Sequence, residues 1–338
     1  MRGEGGRRPD EGRRILAIAL LCLVTFPMRA QLLTSTSRGV VVAANHQLRL
    51  QKGWTADGVA HPTALVASED RVAVLDAIAN EAVVAELATG RTTLLKTAET
   101  PIAAAFLGRE LYVLARDARL LQHGTTQIQL SADPAFLRTA NNRLYVYSRT
   151  GGAIDEIDGD RVARTLRVPP FASDFEISGN TAYLVYPRDA RIRTFDLAQM
   201  KASGELAVGA VPVDLAFAGG GTALTARILA VADPSAKRVW LTEGTQSTAE
   251  AVARGFLRGL LGLGLFGSGD SQFPTGIDRV DVRGKNWIAY DSSTGTLYRF
   301  TRRKSSVVAK GLAPGAYTLT RDGVAWWTGT SVAETPFQ

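Results

Sequence analysis

Cysteine is all but absent. One occurs in 338 residues, Cys22, and it falls within the first thirty. From residue 31 onward neither a disulfide nor a thiolate metal site can form. Histidine is nearly as scarce: His46, His61 and His123 are the three. No two stand at a ligand spacing and none lies beside clustered carboxylates, so the sequence offers no metal centre and implies no cofactor. There is no GxSxG elbow and no Walker loop. The glycine-rich stretches 219–221 and 262–269 open no strand-to-helix nucleotide unit. No nucleophile has a base beside it in sequence, so no catalytic residue is assigned. Long apolar runs are missing too. Residues 15–26 are apolar over about twelve positions, short of the roughly 20 that cross a bilayer as a helix.

What is present is repetition. Residues 134–157 read PAFLRTANNRLYVYSRTGGAIDEI. A short alternating run is followed by an Asn-Asn turn, a tight Leu-Tyr-Val-Tyr run, a Gly-Gly turn and another short run. Runs of this length and composition, bounded by turn residues, read as antiparallel strands. The phrase recurs seven times behind the anchors Pro62, Pro101, Pro134, Phe171, Pro212, Pro274 and Pro314. The spacings are 39, 33, 37, 41, 62 and 40 residues. Proline suits a strand entry, where no ladder donor is needed. A period of about 40 residues with four strands per unit marks a β-propeller.

One repeat cannot cover its own apolar faces, so the repeats must stack and the ring must close. The seventh anchor leaves 316–330, enough for two strands. Residues 39–51 (GVVVAANHQLRLQ) have no anchor and read as two more. The expectation is an all-β, seven-bladed propeller, with six blades as the alternative, closed by N- and C-terminal strands that share one blade.

The first thirty residues differ from the rest. Arg7, Arg8, Arg13 and Arg14 precede the apolar run, and Ala30 offers a small residue for cleavage before Gln31. This is the layout of a secretory signal peptide, with an uncleaved anchor as the alternative. The domain reading is therefore a leader at 1–30 and a propeller at 31–338, placed in the periplasm or outside the cell. Six basic and three acidic residues fall within 1–30, so net charge drops from +7 to +4 without them. That mild excess does not describe a nucleic-acid binder.

The spacing of 62 residues marks an insertion in the fifth repeat, at 246–272. Its middle reads AEAVARGFLRGLLGLGLFGSG. Val252, Phe256 and Leu260 stand at i, i+4 and i+8, flanked by Leu257 and Leu261, with Arg254 and Arg258 on another face. The pattern is an amphipathic helix weakened by glycine. Such a helix folds back on the ring, docks a partner protein, or lies on a membrane surface through 249–266.

Two further series recur. Asp76, Asp117, Asp189, Asp233 and Asp291 follow the second strands and read as turn caps. Arg116, Arg149 and Arg188 occupy the same turn in three consecutive repeats, an arc on one face able to receive an anionic group. Their acidic neighbours offer the plainer reading of solvated loop charges.

The phrases GRELYVLARDARL at 108–120, NRLYVYSRTGGAIDEI at 142–157 and VGAVPVDLAFAGGG at 208–221 resemble secreted bacterial propellers of the YVTN and NHL type. The literal YVTN tetrad is absent. The resemblance covers nearly all of 39–330. It implies a seven-bladed ring and carries over no catalytic residue. This fold hosts binding, lactone hydrolysis, lyase chemistry and quinone-dependent oxidation. The sequence reading is thus an exported, non-enzymatic propeller that binds a partner protein or an envelope polymer. The alternative is a metal-dependent hydrolase or lyase acting at the pore.

Overall fold

The computed structural model describes residues 31–218, 227–244, 271–283, 286–300 and 305–337. Among them the alternating runs fold as eight antiparallel sheets, each strand pairing with its sequence neighbour. The first strands of blades 1 to 8 are Leu32–Thr36, Pro62–Ala67, Pro101–Leu107, Pro134–Ala140, Asp174–Ser178, Asp214–Ala218, Arg279–Arg283 and Tyr317–Leu319. Each packs beside the next, and the last packs beside the first. They form the wall of a central channel. The outer strands face water, as in Thr92–Lys96 and Lys201–Ala207, which are mostly exposed.

The ring has eight blades, which corrects the expected seven and the alternative six. Sequence repeats one to seven are blades 2 to 8. Blade 1 went uncounted because its first strand, Leu32–Thr36, carries no proline anchor. The expected shared blade is also corrected. Residues 32–57 build a four-stranded sheet of their own, and 317–336 build a three-stranded one. Between these two sheets the seam is side-chain packing. Leu33, Val40 and Val42 of blade 1 join Tyr317, Val324 and Trp327 of blade 8 in one apolar cluster. Among the described residues one backbone bond crosses it, from Leu33 N–H to Gly315 O at 3.0 Å.

The blades share a plan with two distinct faces. Turns between second and third strands, and the linkers between blades, lie on one face, here the linker face. The remaining hairpin turns lie on the opposite face. Just past the fourth strand, most linkers turn inward and bury an apolar side chain: Val59, Leu130, Val168, Val208, Phe273 and Leu312. Aspartates then tie linker to turn. Asp76 accepts from Ile78 N and Ala79 N, both at 2.9 Å, and from His61 N at 2.8 Å. Asp233 accepts from Ala236 N at 3.1 Å and Ala210 N at 2.6 Å, and Asp291 from Ser293 N at 2.9 Å. These three are the turn caps the sequence suggests. Asp117 bonds Thr100 and Arg116 instead, and Asp189 pairs with Arg193.

The leader at 1–30 lies outside the described residues. So does the insertion at 246–272, with Val252, Phe256, Leu257, Leu260 and Leu261, except for its last two residues. Ser271–Gln272 is the fourth strand of blade 6, paired with Arg238 and Val239. Among the described residues no α-helix occurs; one 3-10 turn, Pro187–Asp189, is present. No helix among them is long and apolar enough to cross a membrane.

Candidate functional site: the central channel

The strand pairings fix which positions line the channel at equal depth. In blades 2 to 8 a four-residue turn joins the second and third strands, and the ladder can be counted back from it. One tier of first-strand residues pairs with Leu75, Leu114, Tyr147, Val185, Ala232, Tyr290 and Trp326. It comprises Ala64, Ala103, Phe136, Asp174, Asp214, Arg279 and Tyr317. Two residues further along, on the same strand face, stand Val66, Ala105, Arg138, Glu176, Ala216, Asp281 and Leu319.

The wall is therefore lopsided. Blades 2 and 3 contribute alanine and valine, whereas blades 4 to 8 contribute four carboxyl groups, two guanidinium groups and aromatic rings. Arg138 donates from Nε to Glu176 Oε1 at 2.8 Å, and its Nη2 lies 3.5 Å from Asp174 Oδ1. Asp174 Oδ2 accepts from Leu215 N at 3.1 Å, and Asp214 Oδ2 from Val280 N at 2.7 Å. Each aspartate thus clips its own first strand to the next one round the ring. Tyr317 donates its hydroxyl to Asp281 Oδ2 at 2.6 Å. Arg279 Nε lies 3.4 Å from that same oxygen, and its guanidinium sits 5.6 Å from the Tyr317 ring centroid.

Water reaches this network. The Arg279 side chain keeps 51 % of its surface and Asp281 30 %, while Asp174 keeps 8 %. Protein nonetheless surrounds the groups closely enough that desolvation governs their titration. Burial raises the Asp174 carboxyl above its ordinary value, against the pull of Arg138. Burial likewise raises Glu176. Asp214 goes well above the usual range through burial and then the neighbouring Asp174 charge. Tyr317 is pushed well up by burial and by Asp281. Arg279 is held more firmly protonated, chiefly by Asp281 and then by Tyr317. Asp174, Glu176 and Asp214 thus hold their protons more firmly than isolated carboxyls do.

Solved structures resemble this ring. A computationally designed protein, Ika8, matches at 12% identity with a TM-score of 0.65, covering 91% of this chain and 97% of its own. Virginiamycin B lyase from Staphylococcus aureus matches at 11% identity and 0.59, covering 82% and 95%. The Pan2 WD40 domain from Neurospora crassa matches at 9% and 0.53, covering 76% and 84%. These likenesses show the β-propeller fold. At such identities they show nothing finer, since a lyase and a WD40 domain stand side by side among them. No family model and no curated protein matches the chain.

The sequence-derived candidates lie elsewhere on the propeller. Arg116, Arg149 and Arg188 all sit exposed on linker-face turns of blades 3, 4 and 5, along one arc. Arg116 pairs with Asp117 at 3.0 Å. The histidines stay off the channel. His46 occupies the hairpin turn of blade 1. His61 is in a linker, 3.5 Å from Asp76. His123 stacks on Tyr112 at the rim and bonds Glu110 at 3.0 Å. Among the described residues no three His, Cys, Asp or Glu side chains are arranged to hold a metal ion. Sequence reasoning missed the channel network. Its trace was there: Asp-Phe-Glu and Arg-Val-Asp place charges at period two, and Asp-Leu-Ala places one, on strands whose counterparts in blades 2 and 3 carry none.

Proposed function

We propose that this protein is a non-enzymatic binding propeller that takes a hydroxyl-rich ligand, a stretch of saccharide polymer, into its central channel. The supporting observation is the two-tier wall: planar carboxyl and guanidinium groups on one side, alanine and valine on the other. Carboxyls that keep their protons both donate and accept, and guanidinium groups donate in pairs, which suits vicinal hydroxyls. The apolar wall receives the C–H faces of a sugar. A concave site with a few convergent polar groups is the usual form of a small-ligand site. The arginine arc on the linker face supplies rim contacts for acidic substituents.

Titration calorimetry against neutral and uronic-acid oligosaccharides tests this. Arg279→Met and Glu176→Gln are expected to weaken binding at least tenfold, about 1.4 kcal/mol. A panel that fails to bind, or binding indifferent to both changes, overturns the reading. One observation favours an enzyme instead: Asp174 and Asp214 stand at the same depth on adjacent strands, and the Asp174 charge raises the proton affinity of Asp214, the pattern of an acid–base pair. If Asp214→Asn abolishes turnover of a bound oligosaccharide while leaving its affinity intact, that second reading prevails.

A further inference from the structure

The two end faces of the ring differ in what they expose. Among the described residues the exposed large apolar side chains are Ile78, Leu94, Leu95, Phe171, Val211 and Val307. Leu94, Leu95 and Val307 belong to outer strands. Ile78, Phe171 and Val211 lie on the linker face, and none of the six lies on the opposite face. Phe171 and Val211 occupy successive linkers, three residues before Asp174 and Asp214. First strands start at the linker face, so the tier that holds these aspartates is the one nearer that mouth. Three residues of chain span at most about 11 Å. Both apolar side chains therefore belong to residues at the rim of the carboxyl-bearing side of the channel.

Phe171 is held there against its own preference. Its φ is +66°, in the left-handed region that bulky side chains avoid. Yet 52 % of its surface is exposed, so burial of the ring does not explain the conformation. The linker does. Pro169 and Pro170 precede it, each with φ fixed by its ring. Tyr186 donates its hydroxyl to Pro169 O at 2.7 Å, and the Tyr147 hydroxyl accepts from Ala172 N at 2.9 Å. Phe171 N–H donates to Arg149 O, also at 2.9 Å. Both tyrosines are buried, and Phe136 of the channel wall stacks on Tyr147 with ring centroids 6.1 Å apart. Rim and wall are thus one packed unit. Arg149, Phe171, Arg188 and Val211 follow one another along the linker face, all exposed. Asp189, beside Arg188, is taken up by Arg193, and Asp133 accepts from Thr150 N at 3.2 Å. Among the described residues Arg149 and Arg188 make no ion pair, whereas Arg116 pairs with Asp117.

We propose that the linker-face mouth over blades 4 to 6 is an entry subsite for an acidic saccharide, with Phe171 as a fixed platform for one sugar ring and Arg149 and Arg188 as partners for carboxylates on either side of it. This rests on the channel reading. It adds the end at which the polymer enters and a ligand that carries carboxylates. A ring already locked in place loses little freedom when a ligand stacks on it. Guanidinium groups pair with carboxylates through two parallel bonds. At an exposed rim those pairs are screened by salt. An acidic peptide carries the same charge, but the wall just inside the rim offers donors and acceptors suited to hydroxyls, which favours a sugar.

Titration calorimetry with oligogalacturonate and with its neutral methyl ester tests the subsite. Phe171→Ala is expected to weaken both ligands about tenfold with Tm unchanged, and Phe171→Trp, which keeps an aromatic face, to restore binding. The double variant Arg149→Gln, Arg188→Gln is expected to weaken the acid about tenfold, to leave the ester alone and to flatten the salt dependence. If Arg279→Met weakens binding while the rim variants do not, the subsite is wrong and the channel reading stands. If the rim variants weaken binding and Arg279→Met does not, the channel reading falls and the subsite stands. Failure of both oligosaccharides to bind overturns the proposal. So does rim-dependent binding of an oligoglutamate peptide that is tighter than that of the sugar acid.

Discussion

At the scale of single residues, this propeller uses one chemical group in two opposite ways. Asp233 is fully buried, and burial alone would raise its pKa. Donors from Ala210, Val211, Ser235, Ala236 and the Trp240 indole outweigh that and hold it low. A lowered folded value stabilises the fold above the ordinary aspartate range and loses that contribution as pH falls through it. Asp233→Ala is expected to cost about 3 kcal/mol, because several donors are left buried without an acceptor. Urea titration at pH 7 measures the loss, which should shrink in acid. Asp214 behaves the other way. Its raised value means that folding above about pH 4 makes the group keep a proton the unfolded chain would release. Asp214→Asn retains an acceptor for Val280 N–H and removes that cost. The variant is expected to be more stable at pH 7 by on the order of 1 kcal/mol. Its advantage should close as pH falls to the unfolded aspartate range, and a gain that persists there contradicts the assignment.

At the scale of elements, the blades differ in how much of their plan is local. Blade 4 has the cleanest signal: Arg143–Ser148 is flanked by an Asn-Asn turn with positive φ at both residues and by Gly151-Gly152. Side chains alternate faces along a strand, so the neighbours Trp326 and Trp327 face opposite ways; Trp327 is buried and Trp326 half-buried. Blade 6 has the weakest signal, because its fourth strand is two residues long and follows the inserted stretch. Those two residues pair with Arg238 and Val239 and lead into buried Phe273. Replacing 246–270 by a Gly/Ser linker of about eight residues, enough to return along the third strand at roughly 3.3 Å per residue, is expected to leave one cooperative thermal transition. Extending the deletion through Phe273 is expected to lower Tm sharply, since a large buried aromatic costs about 3–5 kcal/mol to remove. Equal effects of the two deletions would mean that the boundary is misplaced.

At the scale of the whole molecule, closure among the described residues rests on a seam of side chains and one backbone bond. Gly315 holds it: its φ is +80°, its carbonyl receives Leu33 N–H, and a Cβ there would stand 2.7 Å from Leu32 Cδ2. The Leu32 side chain can yield, so the backbone conformation decides the cost, about 1–2 kcal/mol for a residue with a Cβ. Gly315→Val should lower Tm while leaving far-UV circular dichroism unchanged at 25 °C. A neutral effect would mean that the seam tolerates another path.

The sequence by itself determined the strands, their order, the four-strand unit and the need for a ring. Each of these follows from local periodicity, turn residues and the exposure of apolar faces that one repeat leaves uncovered. It did not determine the number of blades. Leu32–Thr36 is a first strand only because Gly315 and Tyr317 stand beside it, and no feature within it announces that neighbour. Nor could it show the channel network, whose seven members, spread over residues 138–317, come together through the curvature of the closed circle. The charges were visible in the strands separately. Their meaning depended on which edge of the sheet turned inward, and only the packed ring decides that.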